Sequence, residues 1–162
     1  SAADRAAVRA AVAAGIIDVI ATDHAPHTRE EKVQTYFKAP SGLPLVQHSL
    51  LMLLDLWKQG VLPLETIVER ASHAPAVLFG VEKRGFIREG YAADLVVVDP
   101  TKPHTVRADN LLFQCGWSPL EGHTFACSID RTFVNGICVY EDGKIRAEAP
   151  KGQRLSFEGN GR

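Results

Sequence analysis

The feature of this sequence that most constrains its fold is an apolar run that ends abruptly in a cluster of polar residues. Residues 16–21 are Ile, Ile, Asp, Val, Ile and Ala, and four of these six side chains are β-branched, which is typical of a buried strand in a parallel sheet. The residues that follow are Thr22, Asp23, His24, Ala25, Pro26 and His27. In barrels that alternate strands and helices, polar groups at the carboxyl ends of strands form the active site. The run therefore predicts a strand over residues 16–22 with functional groups at its end.

Three polar side chains of this cluster differ in the chemistry that they offer. Asp23 is a carboxylate that can bind a metal ion or carry a proton. His27 follows Pro26 and therefore belongs to the loop after the strand rather than to the strand itself. His24 is predicted to be structural, because neighbouring side chains on an extended strand point in opposite directions. The alternative interpretation is that Asp23 and His24 merely cap the turn that follows the strand.

The remainder of the chain is predicted to contain helices first and strands afterwards. Helices are predicted over residues 4–14, over residues 45–59, from Pro63 onward and over residues 76–79. Strands are predicted over residues 93–99, 129–135 and 136–141. Asn135 and Gly136 lie between the last two strands, and this dipeptide predicts a hairpin because both residues tolerate a positive φ.

The composition is ordinary for a globular domain and predicts neither a nucleic-acid partner nor a membrane partner. The chain has 162 residues, of which 46% are apolar and 23% charged, and its net charge is −1. No apolar run is long enough to cross a membrane. Cys115, Cys127 and Cys138 form no Cys-x-x-Cys pair, and their odd number indicates reduced thiols and a cytoplasmic location.

The stretch around Asp23 resembles the last barrel strand and loop of the dihydroorotases, a family of zinc amidohydrolases in pyrimidine synthesis. The resemblance covers residues 20–32, 39–42, 85–95, 117–122 and 134–136. The first of these stretches is specific to dihydroorotase-like enzymes, whereas the pattern of residues 85–95 is shared across amidohydrolases. The resemblance implies an α/β fold: the C-terminal portion of a metal-dependent-hydrolase TIM (β/α)8 barrel, with its last strand and helices, plus part of the flanking small β-sandwich. It assigns residues 1–83 to the barrel, residues 84–148 to the sandwich and residues 149–162 to a flexible tail.

The resemblance also implies roles for four residues. Asp23 resembles the catalytic proton carrier of the family, which also contacts zinc, and His27 resembles the residue that binds the substrate carboxylate. Ser41 and Gly42 resemble the loop position whose main chain contacts the substrate ring. The family holds one or two zinc ions, and most of their ligands are expected outside this chain. Each role has an alternative: a structural carboxylate at Asp23, a surface histidine at His27 and an ordinary turn glycine at Gly42.

Other residues that could carry chemistry are predicted to be structural. His48, His73 and His104 are predicted to be scaffold histidines. Residues 117–122 resemble a packing motif of the family, and no chemistry is assigned to them.

The implied function is that of a dihydroorotase, which catalyses the reversible cyclisation of N-carbamoyl-L-aspartate to L-dihydroorotate. The 162-residue chain alone is expected to be inactive, because the metal histidines and lysine of the family have no counterpart in it. One alternative is another cyclic amidase, a hydantoinase or allantoinase, although in those families the equivalent of residues 22–27 usually lacks the second histidine. Another is a non-catalytic scaffold subunit. The expected partners are the small-molecule substrate, further copies of the chain, the missing N-terminal part and aspartate carbamoyltransferase.

Overall fold

A computed structural model of the protein describes residues 1–146 and 152–158, which are divided between two compact units. The first unit consists of Ser1–Ile20, Leu56–Asp99 and Ile129–Arg162, and the second consists of Ala21–Asp55 and Pro100–Ser128. The division of the chain at residues 83 and 148 remains a prediction. Among the described residues, no helix has the length and apolar character needed to cross a bilayer.

The helices lie mainly in the first half of the chain. They are α1 (Ala2–Ala13), α2 (Arg29–Lys32), α3 (Ser49–Lys58), α4 (Leu64–Val68) and α5 (Ala74–Leu78), with a 3-10 turn at Ala108–Asn110. The predicted helix over residues 4–14 is confirmed by α1, which ends before Gly15, a residue with a φ of +77°. The predicted helix over residues 45–59 is also confirmed, although α3 begins four residues later than predicted.

The helical segment after Pro63 is continuous, and the prediction of two separate helices was wrong. One π-helical turn, Glu69–His73, joins α4 directly to α5, and the amide of Ala74 donates to the carbonyl of Glu69. Pro75 has no amide hydrogen and cannot donate a hydrogen bond within a helix. The wider π-helical turn before it therefore costs no hydrogen bond at this residue.

The strands form two antiparallel sheets in the second half of the chain. The strands are β1 (Leu95–Asp99), β2 (His104–Thr105), β3 (Thr124–Phe125), β4 (Ser128–Val134), β5 (Ile137–Glu141) and β6 (Lys144–Ile145). One sheet has the order β1-β4-β5-β6, and β2 pairs with β3 in the other. The hairpin between β4 and β5 is confirmed, since Asn135 and Gly136 have φ values of +51° and +80°.

Residues 16–22 do not form the strand that the sequence predicts. They are extended, but no described strand pairs with them, and a strand of a parallel sheet exists only where a neighbour supplies its hydrogen bonds. The amide of Ile20 instead donates to the carbonyl of Arg70 at 3.0 Å. The described residues contain no parallel pairing beyond a single bridge, so the barrel and sandwich assignments remain predictions.

An ion-paired network in the first unit joins two of the sequence stretches that carry the family resemblance. The carboxylate of Asp94 accepts hydrogen bonds from the guanidinium of Arg84 and, at 2.8 Å, from the amide of Asn135. Arg84 also donates to the side-chain oxygen of Asn135 at 2.7 Å. Burial alone would raise the pKa of Asp94, but the Asn135 amide and the Arg84 charge outweigh it and lower the pKa. These contacts hold the hairpin turn against the segment before β1.

The predicted flexible tail is only partly within the described residues. Residues 149–151 and 159–162 lie outside them. Residues 156–158 run antiparallel to residues 80–82, with main-chain hydrogen bonds of 3.0 and 2.7 Å. This part of the tail is therefore paired rather than frayed.

The core of the second unit is formed around His48, which is fully buried. Its ring stacks on Phe125 with centroids 5.9 Å apart, and it meets Phe113 edge-on at 6.0 Å and His104 at 6.3 Å. Neither ring nitrogen has a hydrogen-bond partner among the described residues. Burial lowers the pKa of His48 to about 4, and repulsion from a charged His104 contributes as well. His48 is thus packed in the core as a scaffold residue would be, but the hydrogen-bond partners expected of a satisfied scaffold histidine are absent among the described residues.

Candidate functional site

Asp23 lies at the point where the extended segment becomes a loop, and its main chain has an uncommon conformation. Its φ is +45°, in the left-handed region that residues other than glycine rarely adopt, although aspartate tolerates it better than most. The side chain is exposed, and among the described residues it has no hydrogen-bond or ion-pair partner. A strained main chain that presents an unpaired carboxylate is typical of a functional position.

His24 is used for structure, as predicted. Its Nδ1 accepts hydrogen bonds from the amides of Leu45 at 3.1 Å and Val46 at 3.3 Å. The main chain on either side forms a parallel bridge between His24 and Leu43, and the amide of Ala25 donates to the carbonyl of Leu43 at 3.1 Å. Because Nδ1 accepts these two hydrogen bonds, it is not free to bind a ligand. His24 therefore joins the two ends of the loop over residues 25–43.

His27 is held by both its main chain and its side chain. Its amide donates to the carbonyl of Ala25 at 3.0 Å, and its carbonyl accepts from the indole Nε1 of Trp117 at 2.8 Å. The imidazole Nδ1 lies 3.5 Å from a carboxylate oxygen of Glu31. The same carboxylate accepts from the amide of Thr28 at 2.7 Å, which lowers the pKa of Glu31. Glu31 is thus an anionic neighbour on the Nδ1 side of the ring.

Ser41 and Gly42 lie at the far end of this loop, and a lysine fixes them there. The ammonium group of Lys32 donates to the carbonyls of Pro40 at 2.7 Å and Gly42 at 3.1 Å, which closes the loop on itself. Gly42 has a φ of +93°, and a Cβ at this position would lie 2.4 Å from the Cβ of Ala25. Packing against Ala25 therefore already requires glycine here, and the proposed contact of Gly42 with a substrate remains a prediction.

An open concavity of about 460 Å³ lies against the loop. It is lined by His27, Glu30, Glu31, Gln34, Lys38 and Pro40. His27 is the one predicted site residue among them. The second unit therefore brings His27, Ser41 and Gly42 onto one closed loop, but it does not place Asp23 in this concavity.

The sequence as a whole matches one protein family. Residues 1–139 match the model of the amidohydrolase family. The chain belongs to this family. The match covers most of both units, so the family assignment does not depend on the Asp23 stretch alone.

Several relatives that carry a functional name are dihydroorotases. Over 136 residues the chain is 41% identical to a dihydroorotase of Halobacterium salinarum, a match that covers 84% of this chain and 32% of the relative. Over 146 residues it is 37% identical to a dihydroorotase of Pyrococcus furiosus, covering 90% and 34%. These matches confirm the dihydroorotase resemblance. The chain spans about a third of the length of the relatives it matches.

Solved structures of hydantoinases confirm that the chain has the fold of the amidohydrolase family. The L-hydantoinase (dihydropyrimidinase) from Arthrobacter aurescens superposes with a TM-score of 0.83 at 30% identity, and the match covers 92% of this chain and 34% of that one. A D-hydantoinase from a Bacillus sp. AR9 superposes with a TM-score of 0.81 at 27% identity, covering 94% and 35%. The chain therefore has the α/β architecture of a segment of an amidohydrolase.

The described residues of this amidohydrolase segment do not form a zinc site on their own. No group of three histidine, cysteine, aspartate or glutamate side chains within them is close enough to hold a metal ion. Asp23 offers a single carboxylate, and the Nδ1 of His24 is already used as an acceptor. Because a catalytic zinc ion usually needs about three protein ligands, Asp23 alone cannot hold one.

Two residues that fix the loop were missed by sequence reasoning. Lys32 closes the loop, and Trp117 holds the main chain of His27, yet neither was assigned a role in the site. Lys32 lies within residues 20–32, which carry the family resemblance, and this position could have indicated its role. The tryptophan is 90 residues from His27, and nothing in the local pattern indicates their contact.

Proposed function

We propose that this chain is part of a dihydroorotase, which interconverts N-carbamoyl-L-aspartate and L-dihydroorotate. The observation that carries the proposal is that eight relatives with functional names are dihydroorotases, at 35–41% identity over 84–91% of this chain. The activity belongs to the whole protein, of which this chain is one segment.

The geometry of His27 favours dihydroorotate over the substrates of the hydantoinases to which the fold is similar. Dihydroorotate carries a carboxylate on its ring, whereas hydantoin itself carries none. His27 lines the concavity, and its Nδ1 faces Glu31, so Nε2 is the nitrogen left to face a ligand. An imidazolium that donates from Nε2 to a carboxylate forms a charge-assisted hydrogen bond. A hydantoinase remains the second candidate, because the L-hydantoinase similarity extends over 92% of the chain.

Asp23 is the proposed proton carrier of the reaction. In the hydrolytic direction, the oxygen of a water molecule attacks the ring amide carbon, and the Asp23 carboxylate accepts a proton from that water. The C–N bond then breaks, and Asp23 delivers the proton to the departing nitrogen. The attacking oxygen remains in the new carboxylate of N-carbamoyl-L-aspartate, and its second proton is released to solvent. An exposed carboxylate without a partner among the described residues is suited to both transfers.

The family resemblance further implies zinc, which lowers the pKa of a bound water and so supplies the nucleophile when it is present. Asp23 would contribute one contact, and the described residues do not supply the other ligands. The pyrimidine pathway, a cytoplasmic location, self-association and association with aspartate carbamoyltransferase are parts of the same proposal.

Exchange of the carboxylate tests the proposed role. Asp23→Asn in the whole protein keeps the size of the side chain but removes the proton acceptor, so we expect kcat for L-dihydroorotate hydrolysis to fall about a thousandfold. Asp18→Asn, five residues earlier and also exposed, is the matched control and should keep kcat within twofold of wild type. Ring opening is followed by the loss of dihydroorotate absorbance. Equal activity of the two variants would refute the assignment of Asp23.

A further inference from the structure

Both main-chain groups of His27 are engaged, and the stronger constraint comes from a distant part of the chain. The hydrogen bond from the His27 amide to the carbonyl of Ala25 spans two residues and is local to the loop. The carbonyl of His27 accepts the indole hydrogen of Trp117 at 2.8 Å, across 90 residues of sequence. The position of His27 in the second unit is therefore tied to residues outside its own loop.

The segment that carries Trp117 is a rigid turn. Ser118 is 6% exposed, and its hydroxyl accepts from the amide of Leu120 at 3.2 Å. The Glu121 carboxylate accepts from the Ser118 amide at 3.3 Å, and the Glu121 amide donates back to the Ser118 carbonyl at 3.3 Å. Gly122 continues this segment with a hydrogen bond of 2.9 Å to the carbonyl of Val106, beside the β2–β3 pair. These hydrogen bonds fix the main chain next to Trp117.

The loop that carries His27 contacts this turn at two points. Its two most exposed aromatic side chains, Tyr36 and Phe37, contact mainly each other, with ring centroids 5.3 Å apart. A second contact with the rigid turn is the ion pair of Arg29 with Glu121 at 3.8 Å, and both of its side chains are partly exposed. The indole hydrogen bond is shorter than this ion pair and is partly buried, so it is the main contact through which the turn fixes the loop.

We propose that Trp117 is a positioning residue for substrate recognition: it holds the main chain of His27 so that the imidazole meets the carboxylate of the substrate. The inference rests on the proposed function, because it assumes that His27 binds a carboxylate. Trp117 itself touches no reacting atom. Loss of its hydrogen bond should therefore weaken recognition of the carboxylate and leave the chemical step unchanged.

The test compares two substrates in the whole protein, L-dihydroorotate and its methyl ester, which lacks the negative charge. Trp117→Phe keeps an aromatic ring but removes the indole N–H. We expect the preference for the acid over the ester, measured as the ratio of their kcat/KM values, to fall about fivefold through a higher KM for the acid. The kcat for the acid should stay within twofold. Trp57→Phe is the matched control, since Trp57 lies in α3 with its ring against Lys58, and it should leave the ratio unchanged.

A second variant guards against loss of folding in Trp117→Phe. Incorporation of β-(3-benzothienyl)alanine at position 117 replaces the indole N–H by sulfur at nearly the same volume, and it should lower the acid preference by the same factor. An unchanged acid preference in this variant, or an equal loss for acid and ester in either variant, would overturn the positioning role. Failure of the wild-type protein to open L-dihydroorotate, or to prefer the acid over the ester, would instead overturn the proposed function on which the role rests.

Discussion

At the scale of single residues, Asp23 and His27 are presented in different ways that suit different tasks. Asp23 is exposed and has no partner among the described residues, as a group that exchanges protons with a substrate requires. His27 is fixed through its main chain and through the carboxylate of Glu31, as a binding group requires. These two environments agree with the proposed proton transfer by Asp23 and the proposed carboxylate binding by His27.

The proposed anchor function of His27 can be measured directly. His27→Asn should raise KM for L-dihydroorotate by about tenfold to a hundredfold, because a charge-assisted hydrogen bond to a carboxylate contributes about 1.5–3 kcal/mol. His123→Asn is the control, since His123 is half-exposed and pairs with Asp55 rather than with the loop. An unchanged KM in His27→Asn would show that another group binds the carboxylate.

At the scale of elements, the close approach of Gly85 to the π-helical turn and α5 makes a stability prediction. A Cβ at Gly85 would lie 2.4 Å from the Cβ of Ala76 and 2.7 Å from the carbonyl oxygen of Ser72. Gly90 has nearly the same φ, +77° against +78° for Gly85. A Cβ at Gly90, however, would have no non-neighbouring atom within 4 Å. Gly85→Ala should therefore lower the free energy of unfolding by about 2–4 kcal/mol and Gly90→Ala by about 1–2 kcal/mol, because overpacking adds to the backbone strain that the two share. Urea denaturation of both variants measures the difference, and equal losses would contradict the predicted clash.

The packing around His48 predicts a specific loss of stability in acid. Above pH 6.5 the residue is neutral in both the folded and the unfolded state. Between pH 6.5 and about 4, the unfolded state binds a proton that the folded state excludes, so the free energy of unfolding decreases as the pH falls. The decrease should amount to about 3 kcal/mol over this window and stop near pH 4. Comparison of wild type with His48→Phe at pH 7 and pH 4.5 checks this, since the variant should lose much less stability; parallel losses would assign the acid sensitivity to other groups.

The elements also show which parts of the fold were predictable from the sequence. The β4–β5 hairpin was predictable because Asn135 and Gly136 meet a local requirement, a positive φ at both central positions of the turn. The strand over residues 16–22 was not, because its ladder depends on neighbouring strands rather than on its own β-branched side chains. The contact of Trp117 with His27 was unpredictable for the same reason, since a single hydrogen bond across 90 residues leaves no periodic pattern.

At the scale of the whole molecule, the first unit exposes apolar side chains that a stable isolated protein would bury. Ile16 in the unpaired extended segment is 74% exposed, and Phe79 after α5 is 64% exposed. Such surfaces and unpaired main-chain groups favour association. The 162-residue chain expressed alone should therefore self-associate at micromolar concentration and should neither retain stoichiometric zinc nor hydrolyse L-dihydroorotate. Light scattering, metal analysis and an activity assay measure these properties, and a monodisperse, active zinc monomer would contradict the expectation.

The central claim is that this amidohydrolase segment belongs to a dihydroorotase rather than to a hydantoinase. Its most direct test is a single comparison of kcat/KM for L-dihydroorotate and for hydantoin, measured with the same preparation of the whole protein. We predict a preference for L-dihydroorotate of at least about tenfold, because His27 offers a charge-assisted contact that hydantoin cannot use. A preference for hydantoin, or no turnover of L-dihydroorotate, would contradict the account.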